Sequence, residues 1–495
     1  MARYIRPLEV NEEVLKKTIK RCRERGIIIP TFSQQKNPDL IPDTVKRKLP
    51  EIGLWDVHPL NLFRITWKND IKNGLFNGVN FMELPSSLTG VKARIVGLIG
   101  KYFPTGAHKV GAAFGCLVPR LVTGQFDPTS QKAVWPSTGN YCRGGAFDCA
   151  LLACDAIAIL PEEMSRERFE WLREIGTKEI IATPGSESNV KEIYDKCWEL
   201  KRERGDKIVI FNQFDEFGNC IWHYEITGSA IEEVFNQIKE PQSRLAAFVS
   251  ATGSAGTIGA GDYLRRKFPL LKVAASEALQ CPTLFLSGFG AHRIEGIGDK
   301  HVPWIHNVRN TDVVIAIDDE YPMRLLRLFN EEKGQEFLIK EGVPQEIVHS
   351  LPLLGISSIS NLLSSIRLAK YFELEEEDIV FTVFTDSAAM YRSRIQELRN
   401  NRGPYTERDA VIDFHHYLRG IGIDWIKELG YWERKALHNL KYFTWVEQQG
   451  KSVEELNALW SPDFWEEVFS QVPEWDRLIT EFNFRTGILE SLTPA

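Results

Sequence analysis

The sequence has no basic cluster of the kind that binds nucleic acid. Its formal net charge is -7, its pI is about 5.9, and no Lys/Arg run is flanked by aromatic residues. Proteins that bind nucleic acids usually carry a positive surface, because their phosphate contacts release counterions. We therefore expect no nucleic-acid partner.

Long apolar runs are also missing. No window approaches the roughly 18 uninterrupted apolar residues of a membrane span. The opening MARYIRPLEVNEE is charged from the start and has no apolar core of signal-peptide length. We therefore expect no membrane partner and a cytoplasmic location.

The eight cysteines form no CxxC pair. Their scattered positions in apolar or loop contexts are typical of free thiols in a reducing compartment, not of a disulfide framework or a zinc site. We expect no metal centre. The cysteines are Cys22, Cys116, Cys142, Cys149, Cys154, Cys197, Cys220 and Cys281.

From about residue 88 to 395 the sequence alternates short apolar runs with amphipathic stretches, and Gly, Pro, Ser or Asn mark the joins. This rhythm predicts βαβ units and a mainly parallel sheet, so the fold class is α/β. At 495 residues the chain is too long for one ordinary core. The candidate strands are 132–136, 155–160, 179–183, 207–211, 246–251, 272–277 and 379–384.

Two flanks break this alternation. Residues 1–85 are polar and contain prolines, and we expect them to form an N-terminal extension that packs on an α/β body at 86–395. Residues 400–495 are charged and rich in tryptophan, which predicts an appended helical unit.

The first motif is PTGAHKVGAAFG at 104–115. A turn-forming Pro-Thr-Gly leads into a predicted helix that begins near Lys109, and the positive end of a helix disfavours the ammonium form of a lysine. A neutral amine can form an imine or accept a proton, because it has a free lone pair. Taken alone, the segment fits an exposed structural lysine better, since the chain has 60 Lys and Arg.

The second motif is PSTGNYCRGGA at 136–146, directly after a predicted strand. Open α/β sheets bind ligands at the carboxyl ends of their strands. The side chains of Ser137, Thr138 and Asn140 can hold a carboxylate there, and Gly139 lets the backbone approach closely. An ordinary helix cap explains the same residues about as well.

The third motif, SATGSAGTIGAG at 250–261, is a glycine-rich turn between a predicted strand and a predicted helix. Such a turn binds a phosphate through backbone N–H groups and a helix N-terminus. No GK[ST] follows, and no convincing acidic partner for a dinucleotide lies downstream. A phosphate monoester therefore fits better than a nucleotide. The stretches 212–231 and 292–303 are also dense in glycine and polar residues, which favours a site-lining role.

In order and spacing these motifs resemble the fold-type II pyridoxal-phosphate (PLP) enzymes, and within them the cysteine synthase and cystathionine β-synthase group. The family's Schiff-base lysine follows P-[ST]-x-[ST]-x-K and its asparagine loop reads [ST]-SGN, which PTGAHK and STGN match in place. The resemblance covers about residues 88–395. It implies PLP as the cofactor and two parallel-sheet α/β subdomains, the smaller at about 100–215, with Lys109 binding PLP and Asn140 contacting its 3'-oxygen.

The resemblance also assigns the rest of the site. The family's phosphate cup, roughly GTGGT, is similar to Gly253, Ser254, Ala255, Gly256 and Thr257, and HRIEGIG resembles the family's HKIQGIG. The segment from NQF to HYEITG brings forward Gln213 on the substrate side, whereas His223 is expected to be structural. The implied substrate-binding residues are Ser137, Thr138, Gly139, Tyr141, Gln213 and Gly296.

The sequence does not decide which residue contacts the pyridine nitrogen of the cofactor. The family places a Ser or Thr hydroxyl near the end of the last strand, where this chain has Thr385, Asp386 and Ser387. The resemblance favours a hydroxyl among the three. A hydroxyl favours loss of a β-substituent, whereas a carboxylate would keep the nitrogen protonated and deepen the electron sink.

The resemblance implies β-replacement on a small amino acid of the serine, O-acetylserine or cysteine type, through an aminoacrylate intermediate, with a thiol as a possible second substrate. Elimination to a keto acid and ammonia is the alternative outcome. A non-catalytic PLP-binding scaffold is the alternative of another class. We expect a homodimer. Departures from the family pattern at Gly106, His108, Tyr141 and Ala255 bear first on the identity of the substrate.

Overall fold

A computed structural model describes residues 8–137, 139–186 and 188–491, with the side chain of residue 491 left out. Thr138, predicted above to bind substrate, lies outside the described residues. Within the described ranges no helix is both long and apolar enough to cross a membrane. The eight cysteines are buried free thiols.

Eleven strands form two sheets in the described part of the chain. The predicted strands are all present within a few residues. The structure adds four strands that the sequence reading did not include, β1, β2, β9 and β11. The bounds are β1 Phe81–Leu84, β2 Arg94–Ile99, β3 Lys132–Pro136, β4 Asp155–Pro161, β5 Glu179–Thr183, β6 Ile208–Ile210, β7 Arg244–Ala251, β8 Lys272–Ala278, β9 Val313–Ile317, β10 Asp378–Phe384 and β11 Ile426–Glu428.

The smaller sheet has the order β5-β4-β3-β6 and is parallel throughout. The larger has the order β1-β2-β10-β7-β8-β9-β11, and only its two edge strands are antiparallel to their neighbours. Strands β9 and β10 are buried along their whole length, as the continuous apolar runs of central parallel strands require. The predicted α/β class with two parallel-sheet subdomains is confirmed.

Helices flank both sheets and make up most of the two ends of the described chain. Their bounds are α1 Glu12–Glu24, α2 Phe32–Lys36, α3 Asp43–Lys46, α4 Ser86–Thr89, α5 Lys109–Val122, α6 Asn140–Leu151, α7 Arg166–Glu174, α8 Val190–Arg204, α9 Phe217–Trp222, α10 Gly228–Ile238, α11 Gly259–Lys267, α12 Thr283–Leu286, α13 Glu320–Asn330, α14 Glu332–Lys340, α15 Gln345–Ser350, α16 Ile356–Tyr371, α17 Arg392–Arg402, α18 Glu407–Ile412, α19 Tyr431–Lys441, α20 Val453–Ala458, α21 Pro462–Phe469, α22 Val472–Thr486 and α23 Ile488–Ser491.

The two flanks share a core with the smaller sheet. Phe32 of the N-terminal flank packs its ring 5.6 Å from that of Phe114 in α5 and 5.4 Å from that of Trp475 in α22. The C-terminal region is mainly helical, as predicted, but it also supplies β11, which pairs with β9. A three-residue edge strand carries no periodicity of its own, so its partner strand determines it.

Candidate active site

Lys109 begins helix α5, and its side chain faces the glycine turn. Its Nζ lies 3.4 Å from the Ser254 Oγ atom. Burial lowers the pKa of Lys109 from 10.5 to about 8, because an ammonium ion loses hydration there and no carboxylate compensates it. The amine is therefore easier to deprotonate than that of a lysine in solvent.

The glycine turn at residues 253–257 presents a row of unpaired donors. Among the described residues, none of its five amide N–H groups has a hydrogen-bond acceptor. The turn precedes helix α11, whose positive end adds to the same field. Buried N–H groups without partners are rare in folded proteins, so this turn has the donor set of a phosphate-binding cup.

Two positions in the turn are sterically special. Ala255 is buried and adopts a left-handed φ of 59°, a conformation that glycine takes at lower cost. Gly256 tolerates no side chain, because a Cβ atom there would overlap the amide of Asn219. That amide donates from Nδ2 to the Gln213 carbonyl oxygen at 2.9 Å and to Ser254 Oγ at 3.0 Å. Asn219 therefore links the turn to Gln213.

The side-chain hydroxyl of Thr257 contacts two neutral histidine rings. Its Oγ1 lies 3.2 Å from His108 Nε2 and 3.5 Å from His223 Nε2. Burial holds the pKa of both rings well below the ordinary value, so neither adds a charge. His223 Nδ1 lies 2.9 Å from Thr227 Oγ1, a position consistent with the expected structural role.

Asn140 faces Asp386 across the cleft between the two sheets. Its Nδ2 donates to Asp386 Oδ2 at 2.7 Å, and Tyr391 donates to the same oxygen at 2.8 Å. Burial raises the pKa of Asp386, although Arg168 and these donors act against that rise. The other carboxylate oxygen, Oδ1, has no hydrogen-bond partner among the described residues.

The predicted substrate residues divide into two groups. Ser137 Oγ accepts from the Gly139 N–H at 3.0 Å, and a Cβ at Gly296 would lie 3.9 Å from Asn140 Nδ2, so these positions adjoin the cleft. Tyr141 lies in the core instead, where its hydroxyl donates to the Phe211 carbonyl oxygen at 3.2 Å. The hydroxyl of Tyr141 is therefore engaged away from Lys109.

Sequence reasoning missed a buried arginine that joins the two subdomains. Arg168 of α7 donates to Glu295 and, at 3.0 Å, to the Tyr391 hydroxyl. Its guanidinium also occupies the space that a side chain at Gly139 would fill. Arg394 donates to the other oxygen of Glu295 at 2.5 Å. These hydrogen bonds join α7 of the smaller subdomain to Glu295 and to Tyr391, which follows β10 of the larger sheet.

The C-terminal flank forms hydrogen bonds with residues 302–306, which follow the HRIEGIG motif. Lys441, at the end of α19, is buried and donates to the carbonyl oxygens of Trp304 at 3.0 Å and His306 at 2.7 Å. Trp445 Nε1 donates to the Val302 carbonyl oxygen at 2.9 Å. Burial lowers the pKa of Lys441 to about 7.

Residues 298–306 form hydrogen bonds on two sides of the site. The Gly298 N–H donates to the Thr252 carbonyl oxygen at 3.2 Å, directly before the glycine turn. The Ile305 N–H donates to the Phe214 carbonyl oxygen at 3.3 Å, directly after Gln213. The C-terminal flank therefore supports the site through residues 298–306.

Lys441→Met should destabilise the protein and weaken cofactor binding. Methionine fills a similar volume but leaves the buried Trp304 carbonyl without a donor, at a cost of about 1–3 kcal/mol, whereas the His306 carbonyl keeps the Val308 N–H at 2.9 Å. Urea unfolding measures the stability, and fluorescence titration of the apoenzyme with PLP measures the affinity. The control is Lys427→Met, a lysine in β11 outside these contacts. If Lys441→Met binds PLP as tightly as the control does, the flank does not support the site.

Residues 101–336 match the family model of pyridoxal-phosphate dependent enzymes. A cysteine synthase of Staphylococcus aureus is 29% identical over 291 residues, which cover 59% of this chain and 84% of that protein. A cystathionine beta-synthase of Saccharomyces cerevisiae is 26% identical over 320 residues, which cover 63% of this chain and 59% of that protein.

Solved structures with similar folds include the cysteine synthase of Entamoeba histolytica, with a TM-score of 0.56 and 21% identity over 68% of this chain and 93% of that one. A hydrogen sulfide-producing enzyme of Fusobacterium nucleatum has a TM-score of 0.54 and 23% identity over 63% of this chain and 95% of that one. These likenesses concern the fold. The family match over residues 101–336 and the cysteine synthase relatives indicate a pyridoxal-phosphate dependent enzyme that acts at the β-carbon of an amino acid.

Proposed function

We propose that the enzyme catalyses β-replacement on a small amino acid of the serine, O-acetylserine or cysteine type, with a thiol as the second substrate. The observation that carries the proposal is the row of unpaired N–H groups at 253–257 beside the Lys109 amine. The similarity to cysteine synthases and to a cystathionine beta-synthase supports the reaction class. A homodimeric, cytoplasmic form is part of the same proposal and rests on the resemblance and the composition.

The cofactor and the chain divide the chemistry between them. When bound, pyridoxal phosphate supplies an electron sink that acidifies the α-proton and allows the β-substituent to leave. The N–H groups of the turn at 253–257 hold the phosphate, and Lys109 provides the amine that binds the cofactor. A cofactor held at both ends has one orientation relative to the substrate, which selects the α-bond that breaks.

Lys109 also moves the α-proton in this proposal. Its Nζ accepts the proton from the substrate, because burial favours the neutral amine and no carboxylate stabilises the charged form. Ser254, at 3.4 Å, is near enough to orient the amine by a hydrogen bond. The same amine can return the proton once the new β-bond has formed.

The substrate carboxylate is assigned to the loop after β3. Ser137, Thr138 and Gln213 supply the polar groups, and Gly296 leaves space for the backbone of the substrate, whereas the absence of a side chain at Gly139 makes room for the Arg168 guanidinium beside the loop. Asn140 Nδ2 donates to Asp386 across the cleft, and Asn140 is the residue that would contact the 3'-oxygen of the cofactor. Tyr141 contributes through the core, since its hydroxyl bonds to Phe211.

Asp386 is the residue that we assign to the pyridine nitrogen, in place of the hydroxyl favoured by the resemblance. Its carboxylate contacts Asn140, whereas Ser387 lines a crevice that Asn140 and Lys109 do not line. An acidic partner keeps the nitrogen protonated and strengthens the electron sink. Arg168 forms an ion pair with Oδ2 at 3.8 Å, and Oδ1 has no hydrogen-bond partner among the described residues, so Oδ1 is able to accept a further donor.

Asp386→Ser should shift the visible absorbance maximum of the bound cofactor and lower kcat by about tenfold, or about 1.4 kcal/mol in the activation barrier, because a hydroxyl does not keep the pyridine nitrogen protonated as a carboxylate does. The spectrum and steady-state kinetics of the holoenzyme measure both effects. The control is Asp206→Asn, because this carboxylate is fully exposed. A variant with an unchanged spectrum would assign the nitrogen to another residue.

The reaction itself is tested by incubating the holoenzyme with O-acetylserine, serine or cysteine, with and without a thiol or sulfide. The proposal expects a new amino acid that depends on the nucleophile, with little pyruvate. Pyruvate formed at the same rate without a nucleophile would identify β-elimination instead. Full cofactor binding without turnover of any of the amino acids would favour the scaffold alternative.

A further inference from the structure

A cationic crevice opens beside the carboxyl end of β10. Its volume is about 570 Å³, which is within the range of small-molecule sites, roughly 300–1,000 Å³. Lys101, His349, Arg392 and Arg399 line it, and no acidic residue of the described chain does. Lys109, Asn140 and the glycine turn do not line the crevice, so it is separate from the cofactor cleft.

Two of these cations, Lys101 and Arg392, make no direct ion pair within the described residues, although Asp386 is near enough to Lys101 to oppose the fall in its pKa. Lys101 has no hydrogen bond or ion pair within the described residues, and its amine lies 5.2 Å from the ring centre of Trp55. Burial and the nearby Arg143 and Arg392 lower the pKa of Lys101. In the part of the chain that the structure describes, Arg392 donates only to the Ala389 carbonyl oxygen, at 3.4 Å. Arg399, by contrast, is paired with Glu331.

The wall of the crevice also holds an unpaired hydroxyl. Ser387 is 3% exposed, and its Oγ has no hydrogen-bond partner among the described residues. A buried hydroxyl without a partner is unfavourable, and an anion beside it can accept its proton. The crevice therefore combines unpaired positive charge with an unpaired, buried donor.

We propose that this crevice binds a small anion through a phosphate or carboxylate group, at a site distinct from the cofactor phosphate. Lys101 and Arg392 supply charge, and Ser387 donates a hydrogen bond. Ser387 adjoins Asp386, and Arg392 adjoins Tyr391, which donates to Asp386. A ligand that contacts Ser387 and Arg392 therefore spans the segment that carries the Asp386 contact, and acts as an effector of that contact.

The test titrates inorganic phosphate into the holoenzyme, whose glycine turn is already filled by the cofactor phosphate, with isothermal calorimetry as the readout. We expect saturable binding that Lys101→Met and Arg392→Met each weaken about tenfold or more, the loss of one charge-assisted contact. The control is Lys16→Met, an exposed lysine of α1, which should bind as the wild type does. No saturable binding, or binding that neither substitution weakens, would overturn the proposal.

A second arm identifies the anion and its effect. Acetate and succinate replace phosphate in the same titration, and dependence on Lys101 separates crevice binding from occupation of the substrate site. The group that binds more tightly in a Lys101-dependent way is the natural one. The visible band of the cofactor should shift with the same midpoint as the heat signal. Binding without that shift would show an anion site that is not an effector site.

Discussion

Lys109→Ala will purify without the visible absorbance band of the bound cofactor and will lose at least about 10³-fold in kcat, within the range of about 10²–10⁴-fold expected for a catalytic proton-transfer group. The variant removes both the amine that binds the cofactor and the base assigned to the α-proton. The fold should survive, because within the described residues the amine makes a single hydrogen bond, at 3.4 Å to Ser254. Absorbance and circular dichroism measure the two parts of this prediction.

A matched variant shows whether position 109 needs only a positive charge or needs an amine that can form an imine and accept a proton. Lys109→Arg keeps a positive side chain of similar length, but a guanidinium does not deprotonate or form an imine under these conditions. It should therefore lack the band as Lys109→Ala does. Added primary amine should restore part of the activity to the alanine variant and none to the arginine variant. A band that persists in either variant would move the cofactor to another lysine.

Arg168→Met should lower the free energy of unfolding by about 3–5 kcal/mol, the usual cost of breaking a buried ion pair on one side. The substitution leaves Glu295 with Arg394 as its remaining cation and the Ser165 N–H as a donor, and it removes the hydrogen bond to Tyr391. It also opens the contact between α7 and the larger sheet, so KM for the amino acid should rise. Urea unfolding and steady-state kinetics measure the two effects.

The control for this prediction lies two residues earlier on the same helix. Arg166 is exposed and pairs with Glu170 one turn along the helix, an arrangement worth about 0.3–0.5 kcal/mol. Arg166→Met should therefore leave both stability and KM close to those of the wild type. Equal behaviour of the two variants would show that the subdomains do not depend on Arg168.

The sequence predicted the site residues that lie in contiguous motifs better than the contacts between residues far apart in the chain. The βαβ rhythm located β3, β4 and β8 closely, because buried parallel strands leave continuous apolar runs. Lys109 and the glycine turn lie in contiguous motifs, and the structure brings them within a hydrogen bond. The roles of the individual site residues stay predictions until they are tested.

Arg168 and Lys441 could not be found in the same way. Each is one of 60 Lys and Arg, and each acts on residues more than 100 positions away in the sequence. Their burial follows from tertiary packing, which leaves no local pattern. The choice of Asp386 over its neighbours likewise depends on the direction of its carboxylate toward Asn140.

Reduction of the holoenzyme with borohydride, followed by peptide mass spectrometry, tests the central claim most directly. Reduction makes the bond between lysine and cofactor permanent, so the modified peptide identifies the lysine. We expect a phosphopyridoxyl group on the peptide that contains Lys109 and on no other peptide. A label on a different lysine, or none in protein that carries the visible band, would contradict the assignment of the cofactor to this cleft.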